Sequence, residues 1–193
     1  FKGHISPDYS EINFKKYLSS NIVLPYLVAH GCKWGKCTFC SHHLSYEGYR
    51  SSSIDQVIND LKLINKNYGV KYISFCDEYL THSQLTDLSN QLLKENIKIK
   101  WSTFTRAESE FVKKDFTGLL YSAGARVLYF GFETVSQRLL KLMKKGNNSR
   151  LYVPILQSCK SANIAVRIDI MIGFPSETNE EAENTYNFIK NNK

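Results

Sequence analysis

Short apolar runs alternate along the chain with segments in which apolar residues recur at helical spacing. The runs rich in β-branched and aromatic residues predict five strands, over residues 22–28, 71–75, 97–104, 126–132 and 164–172. A helix-period segment follows each strand, which is typical of repeated βα units around a mainly parallel sheet. The pattern therefore predicts an α/β fold with about five βα units, either an open doubly wound sheet or an incomplete barrel.

The starts of three predicted helices are marked by capping boxes, in which a hydroxyl residue precedes Gln or Glu by three positions. These boxes are Ser53 with Gln56, Thr81 with Gln84, and Thr178 with Glu181. Further helices are expected around 112–119, 136–145 and 151–162. The first twenty residues show no period and predict an irregular N-terminal arm, so we divide the chain into an arm over 1–20 and a core over 21–193.

A length of 193 residues with 42% hydrophobic and 22% charged residues predicts one folded domain. Because the chain begins with Phe1 instead of Met, we expect it to be part of a longer polypeptide, with any sixth βα unit beyond Lys193. No run reaches the ~18 uncharged apolar residues that a membrane helix requires. We therefore expect neither a membrane span nor a secretion signal.

The net charge is +7, but the basic residues are scattered, and their densest patch contains Lys141, Lys144, Lys145 and Arg150. This patch is expected to be a solvated helix face, although basic character leaves a polyanionic partner such as RNA open. Five cysteines are an odd number, and three of them fall within nine residues, which argues against a disulfide framework. We expect a reducing, cytoplasmic setting.

Cys32, Cys37 and Cys40 lie on one predicted loop directly after the first strand. Gly31 and Gly35 allow the tight turns of a loop that wraps around a metal centre. Two centres are possible: a zinc ion completed by one of the nearby histidines 30, 42 and 43, or a 4Fe-4S cluster that leaves one iron open. The other two cysteines, Cys76 and Cys159, are expected to be small core residues.

Polar residues follow four of the predicted strands, and in a parallel sheet these ends meet at one edge. They are Asp77 and Glu78 after the second strand, Arg106 after the third, Glu133 at the end of the fourth, and the turn formed by Gly173, Phe174 and Pro175 after the fifth. Structural alternatives exist for the acidic pair, as a helix N-cap, and for Arg106, as a surface residue. Glu133 ends an apolar strand, where an acid is costly unless it meets water, a ligand or a donor.

The cysteine triplet, with the aromatic Phe39 before its last member, resembles the signature of radical S-adenosylmethionine (radical SAM) enzymes. The usual first spacing in that family is three residues, whereas four separate Cys32 from Cys37 here. A longer loop with glycine, an aromatic residue and a second glycine is similar to the branch that carries a cobalamin-binding domain upstream. The lead-in segments 7–9, 17–19 and 23–25 also resemble that branch.

This resemblance implies a partial TIM-like (β/α) barrel in which Cys32, Cys37 and Cys40 hold a 4Fe-4S cluster. It also assigns one part of the cofactor S-adenosylmethionine to each strand end. In the family pattern the methionyl ammonium would meet Asp77 and Glu78, the carboxylate Arg106, the ribose Glu133, and the adenine the turn of Gly173, Phe174 and Pro175. Phe39 would lie beside the bound cofactor.

The implied activity is reductive cleavage of S-adenosylmethionine to a 5′-deoxyadenosyl radical, which abstracts hydrogen from a substrate. The resemblance also implies an electron donor such as flavodoxin or ferredoxin, and a small-molecule or peptide substrate. Cobalamin, bound by a domain outside this chain, would serve a methyl transfer; peptide modification is the other possibility. The alternative function class is a zinc-stabilised, basic binding module for RNA or a protein partner.

Overall fold

The structure is a computed structural model that describes residues 6–19, 21–45 and 48–192, with the backbone alone at His43. Within these ranges the strands are β1 (Val23–Tyr26), β2 (Ala29–His30), β3 (Arg50–Ser51), β4 (Tyr72–Phe75), β5 (Lys100–Thr105), β6 (Ala125–Glu133) and β7 (Ala165–Ile170). The α-helices are α1 (His42–Ser45), α2 (Ile54–Tyr68), α3 (His82–Lys94), α4 (Lys114–Ser122), α5 (Gln137–Leu142), α6 (Tyr152–Ser161) and α7 (Asn179–Asn191). Short 3₁₀ turns occur at Phe14–Lys16, Ser109–Val112 and Ser149–Leu151.

Five strands form one parallel sheet in the order β1-β4-β5-β6-β7, and β2 pairs with β3 in a small antiparallel ribbon. The order of the five strands follows the chain, so every crossover moves in the same direction along the sheet. Because such crossovers are right-handed, they place the helices on one face. A doubly wound sheet reverses its direction, so the observed order confirms the predicted partial (β/α) barrel with five βα units.

The hydrophobic core lies between the sheet and this helical layer. Alternate strand residues such as Ile73, Trp101 and Phe130 are buried there, each no more than 2% exposed. The opposite face of the sheet, which is the inner face of the partial barrel, is more open, and its Phe104 is 40% exposed. A small molecule can therefore reach the sheet from the inner face and from the carboxyl ends of the strands.

All three predicted capping boxes are confirmed, at the first residues of α2, α3 and α7. The limits of all five predicted strands differ from the observed ones by up to three residues, and two of these differences have a visible cause. The strand predicted over 22–28 ends already at Tyr26, and the chain then enters the ribbon, in which residues 29–30 pair with β3. The strand predicted from 97 begins only at Lys100, because the Ile97 N–H donates to the Leu92 carbonyl (2.9 Å) at the end of α3.

The two remaining cysteines differ in position. Cys159 is fully buried in α6 as predicted, and burial raises the pKa of its thiol to about 12. The prediction that Cys76 is a core residue is wrong, because its side chain is exposed. Side chains alternate across a strand, so the residue after the buried Phe75 continues on the inner face.

Within the part of the chain that the structure describes, no helix has both the length and the apolar character needed to cross a bilayer.

Candidate metal and cofactor site

At the carboxyl edge of the sheet, the three clustered cysteines line one cavity of about 260 Å³. The cavity brings together most of the predicted site residues, which come from the cysteine loop and from three strand ends. They are Cys32, Cys37, Phe39, Cys40, Glu78, Arg106 and Glu133. Asp77 and the turn of Gly173, Phe174 and Pro175 are not part of this lining.

The spacing of the three sulfurs tests which metal centre suits the loop. A single zinc ion with Zn–S bonds of about 2.3 Å would hold its thiolates about 3.8 Å apart. The Sγ atoms of Cys32, Cys37 and Cys40 do not all lie within 4.8 Å of one another, since the described set that meets this limit is a different one. A 4Fe-4S cluster binds each thiolate through a different iron, which requires more widely spread sulfurs. In this arrangement the three thiols line one cavity without being gathered onto a single ion, which is compatible with a 4Fe-4S cluster.

Two of the three histidines considered as a fourth zinc ligand lie in the part of the chain whose side chains the structure describes. His42 Nδ1 is 2.9 Å from Glu78 Oε1, and both side chains line the cavity. His30 is in β2, which pairs with β3. The side chain of His43 lies outside the described residues.

Helix α5 ends three residues before the predicted limit of 145, and this early end shapes the site. Lys144 adopts a left-handed backbone (φ 49°), and the Lys145 N–H donates to the Leu140 carbonyl (3.1 Å). With the Lys144 N–H bonded to Lys141, this is a Schellman-type helix end. The chain therefore turns sharply after Met143, and Lys145 lines the cavity instead of continuing a solvated helix.

The carbonyls that this helix end leaves free are bonded by the cysteine loop. Residues 142–144 accept from the Thr38 hydroxyl (3.2 Å), the Thr38 N–H (3.0 Å) and the Trp34 indole N–H (2.9 Å), respectively. Arg106 Nη2 donates to the next carbonyl, that of Lys145. Four consecutive carbonyls thus hold the cysteine loop and Arg106 against the end of α5.

Trp34 is one of the four residues between Cys32 and Cys37, and its side chain packs against Gly146. The Arg106 guanidinium lies 4.2 Å from the Trp34 ring centroid, which is cation–π distance. Gly146 has φ +74°, and a Cβ atom there would lie 2.5 Å from Trp34 Cζ2. A side chain at 146 is therefore incompatible with the observed position of the indole.

Glu133 is held in the cavity by an irregularity at the end of β6. The pairing with β7 shifts register between Gly131 and Glu133, and Glu133 has a left-handed backbone with φ 63°. Its carboxylate accepts from Lys145 Nζ at 2.7 Å, and the two side chains are only 10% and 13% exposed. A non-glycine residue in this region is strained by about 1–3 kcal/mol, and such strain concentrates at functional sites.

Asp77 is buried at the end of β4, at 2% exposure, and its carboxylate bonds to the backbone. It accepts from the N–H groups of Val28 (3.1 Å) and Ala29 (2.6 Å), so it links β4 to the connection between β1 and β2. Burial raises the pKa of Asp77 to about 6, while these two hydrogen bonds act in the opposite direction. Its role toward the methionyl ammonium stays a prediction, and Glu78 is the member of the pair that lines the cavity.

The predicted adenine turn is held next to α5. Gly173 has φ 82°, and its N–H donates to the Glu177 carboxylate. Arg138 donates to the Ser176 carbonyl (2.7 Å) and pairs with Glu181 Oε2 (2.6 Å), which fixes the turn to the start of α7. The structure leaves the role of Gly173, Phe174 and Pro175 as a prediction.

The cavity is also lined by Tyr79, Lys145 and Asp169, which the sequence did not assign to it, and by His42, which was considered only as a zinc ligand. Burial raises the pKa of the Cys37 thiol, whereas the positive charges of Lys145 and Arg106 lower it. Lys145 Nζ is also 5.7 Å from the Phe39 ring centroid. The sequence does contain an indication that the helix ends near Lys145, because a Lys-Gly pair after a run of helical period is typical of a helix C-terminus.

Residues 26–189 match the sequence model of the radical SAM superfamily. The chain belongs to the radical SAM superfamily. This confirms the family resemblance of the cysteine triplet, and the chain is accordingly part of a radical SAM enzyme.

Three similar proteins give the comparison more detail. An uncharacterized methyltransferase, PH0819, of Pyrococcus horikoshii is 28% identical over 188 residues, covering 95% of this chain and 40% of the relative. Ribosomal protein uS12 methylthiotransferase RimO of Caldicellulosiruptor saccharolyticus is 28% identical over 174 residues, covering 84% and 39%. The cobalamin-dependent S-adenosylmethionine radical enzyme OxsB, solved with aqua-cobalamin, superposes with a TM-score of 0.72 at 24% identity, covering 85% of this radical SAM chain and 26% of OxsB. The chain thus spans about two fifths of the length of these curated relatives.

Proposed function

We propose that Cys32, Cys37 and Cys40 hold a 4Fe-4S cluster and that the loaded protein cleaves S-adenosylmethionine reductively. The observation that supports this most directly is the placement of three thiols around one cavity at the carboxyl edge of the sheet. When bound, the cluster supplies one electron to the sulfonium, and the products are methionine and a 5′-deoxyadenosyl radical. Membership of the superfamily supports the same chemistry.

The residues around the cavity supply complementary charges for the cluster and cofactor. Lys145 and Arg106 place positive charge near Cys37 and partly oppose the increase that burial causes in the pKa of its thiol. Glu78 and Glu133 are the carboxylates of the lining that suit the methionyl ammonium and the ribose hydroxyls, respectively. Arg106 suits the methionyl carboxylate, and Phe39 provides an apolar ring beside it. The Gly173–Pro175 turn would contact the adenine.

We further propose methyl transfer with cobalamin as the reaction of the whole protein. The name of the P. horikoshii relative and the cobalamin-dependent fold neighbour support this choice. Cobalamin would be bound by a domain outside this chain, and the substrate would be a small molecule or a peptide. The electron donor would be a flavodoxin or a ferredoxin.

Anaerobic reconstitution of the full-length protein, followed by iron and sulfide analysis and electron paramagnetic resonance of the reduced sample, tests the cluster. Replacing any one of Cys32, Cys37 and Cys40 by Ala should reduce this chain's share of bound iron from about four atoms to near zero. With S-adenosylmethionine and reductant, the unmutated protein should release 5′-deoxyadenosine.

Cys76→Ala is the matched control, because Cys76 is an exposed free thiol on the neighbouring strand, and Cys159→Ala is the buried control. Both should retain full iron. If all three loop variants also keep their iron, the assignment is wrong. A colourless anaerobic preparation with one tightly bound zinc per chain would instead favour the zinc-stabilised binding module.

A further inference from the structure

A groove of about 500 Å³ runs along the outer side of the cysteine loop, away from the cavity. It is lined by Trp34, Lys36, Lys141 and Lys144, together with the uncharged residues Gln137, Leu140, Gly146 and Asn147. Two of these lysines belong to the basic patch that sequence analysis treated as a solvated helix face. The structure places that patch directly beside the loop that carries Cys32, Cys37 and Cys40.

The positive charge of this groove has little acidic compensation. Its described lining contains three lysines and no Asp or Glu. The two chain segments that build it are also free of acids, since none occurs in residues 31–46 or 134–168. A surface of one sign attracts partners of the opposite sign and accelerates their association.

Trp34 forms the layer between the groove and the cavity. Its indole lines the groove and lies 5.0 Å from Lys36 Nζ, measured to the ring centroid. The Arg106 guanidinium, 4.2 Å from the same ring, lines the cavity instead. The side chains of Trp34 and Arg106, which contact each other, therefore separate the exposed basic surface from the cavity that the thiols line. An electron entering from this surface would have a short path to the thiols.

We propose that this groove, defined by Trp34, Lys36, Lys141 and Lys144, is the docking surface for an acidic one-electron carrier protein of the flavodoxin class. The inference rests on the proposed function, because only a redox centre at the cysteines needs such a partner. The reduced flavin of the carrier loses one electron and the oxidised cluster gains it, with no bond formed or broken. The lysines supply charge complementarity, which acts mainly on the association rate.

RNA is the other polyanion that a basic groove attracts, and its phosphates would meet the same lysines. Single-stranded RNA also uses aromatic rings for base stacking. The groove offers one such ring, Trp34, and both Arg106 and Lys36 already lie over it. The position behind the cysteine loop and this occupied ring favour the redox protein.

The test uses the full-length, reconstituted protein and a purified flavodoxin of net negative charge. Lys141→Glu combined with Lys144→Glu should lower the second-order rate of electron transfer from the hydroquinone at least tenfold at low ionic strength. Affinity for oxidised flavodoxin, measured by surface plasmon resonance, should fall in parallel. The rate for unmutated protein should decrease with added salt, and the variant should lose most of this dependence.

Lys71→Glu combined with Lys98→Glu is the matched control, since it changes the net charge equally at exposed positions near the opposite edge of the sheet. This control should stay within twofold of the unmutated protein. Reduction by dithionite and iron content should be equal in all three proteins, which tests the cluster separately from docking. The charge-neutralising pair Lys141→Gln and Lys144→Gln should show a smaller decrease in the electron-transfer rate. It provides a second test in case the charge-reversed variant does not fold.

Equal flavodoxin rates and affinities in the groove and control variants would overturn the docking surface while leaving the cluster in place. Loss of binding to a single-stranded RNA oligonucleotide, with flavodoxin transfer unchanged, would overturn it in favour of RNA. If the unmutated protein binds no iron at all, the proposed function fails first and the carrier proposal fails with it.

Discussion

Asp77 and Glu133 are both buried acids at the carboxyl ends of parallel strands in one sheet, yet their surroundings differ. Asp77, after β4, accepts hydrogen bonds from the backbone N–H groups of Val28 and Ala29 and is not part of the cavity lining. Glu133, at the end of β6, lies on a left-handed residue and pairs with Lys145 inside the cavity. The first carboxylate joins two parts of the chain, and the second is presented to whatever enters the site.

This difference shows that a strand-end position does not by itself define a ligand-binding acid. Backbone N–H groups are fixed partners, so a carboxylate that satisfies two of them is costly to release. A lysine side chain can move aside, so its partner is able to exchange it for a ligand. The comparison therefore predicts that changes at Asp77 affect mainly stability and that changes at Glu133 affect mainly cofactor binding.

The largest effect is expected from Asp77→Ala. The variant leaves the buried amides of Val28 and Ala29 without an acceptor, at roughly 2 kcal/mol each. The free energy of unfolding should fall by about 4 kcal/mol, measured by urea denaturation of the full-length protein. Asp77→Asn retains one acceptor oxygen and should lose about half as much. Equal, small losses in both variants would show that the two hydrogen bonds contribute little.

The second largest effect is expected in the pH dependence of the free energy of unfolding, to which Asp77 contributes. Burial raises the pKa of Asp77 from 3.8 to about 6, so the folded state keeps its proton where the unfolded chain has lost it. The contribution of Asp77 is therefore greatest below pH 4 and declines as pH rises to 6, by about 3 kcal/mol in total.

Urea denaturation between pH 4 and pH 7 measures this decline, with Asp77→Asn as the reference. The stability difference between the two proteins should shift in favour of Asp77→Asn as pH rises through this window, and then stay constant. A difference that is independent of pH would contradict a raised pKa at Asp77.

The smallest effect in free energy, but the most specific, is expected from Glu133→Gln. The amide keeps an oxygen for Lys145 but loses the charge that strengthens hydrogen bonds to the ribose. Affinity for S-adenosylmethionine should fall about tenfold, or about 1.4 kcal/mol, in calorimetry with the reconstituted full-length protein. Iron content should not change, and folded Asp77→Asn should bind the cofactor within twofold of normal. The opposite ranking of the two variants would reverse the roles of the two acids.

The elements whose structure follows from local chemistry were predictable from the sequence. The capping boxes at Ser53, Thr81 and Thr178 define helix starts through hydrogen bonds within four residues, and all three are confirmed. The alternation of strands with helical periods likewise predicted the five βα units. The order of strands in the sheet, which distinguishes a partial barrel from a doubly wound sheet, is a long-range property that this pattern leaves open.

The features that sequence analysis missed depend on contacts between distant segments. Lys145 was expected on a solvated face, but the left-handed Lys144 turns the chain so that Lys145 meets Glu133. The partners of Asp77 are 48 and 49 residues away, so no local pattern indicates them. Cys76 was assigned to the core because its neighbours are apolar, although strand alternation places it on the open face.

The contact between Trp34 and Gly146 has a consequence for how this sequence can change during evolution. A methyl group at 146 would overlap the indole ring, so the two positions are expected to co-vary. A smaller residue in place of the indole would remove this overlap, and the φ of +74° and the nearby Arg106 would then be the remaining reasons for glycine at 146. A chain that retains Trp34 is restricted to glycine at position 146. The residue in the cysteine loop thus limits which residue can stand in a second loop more than one hundred positions later.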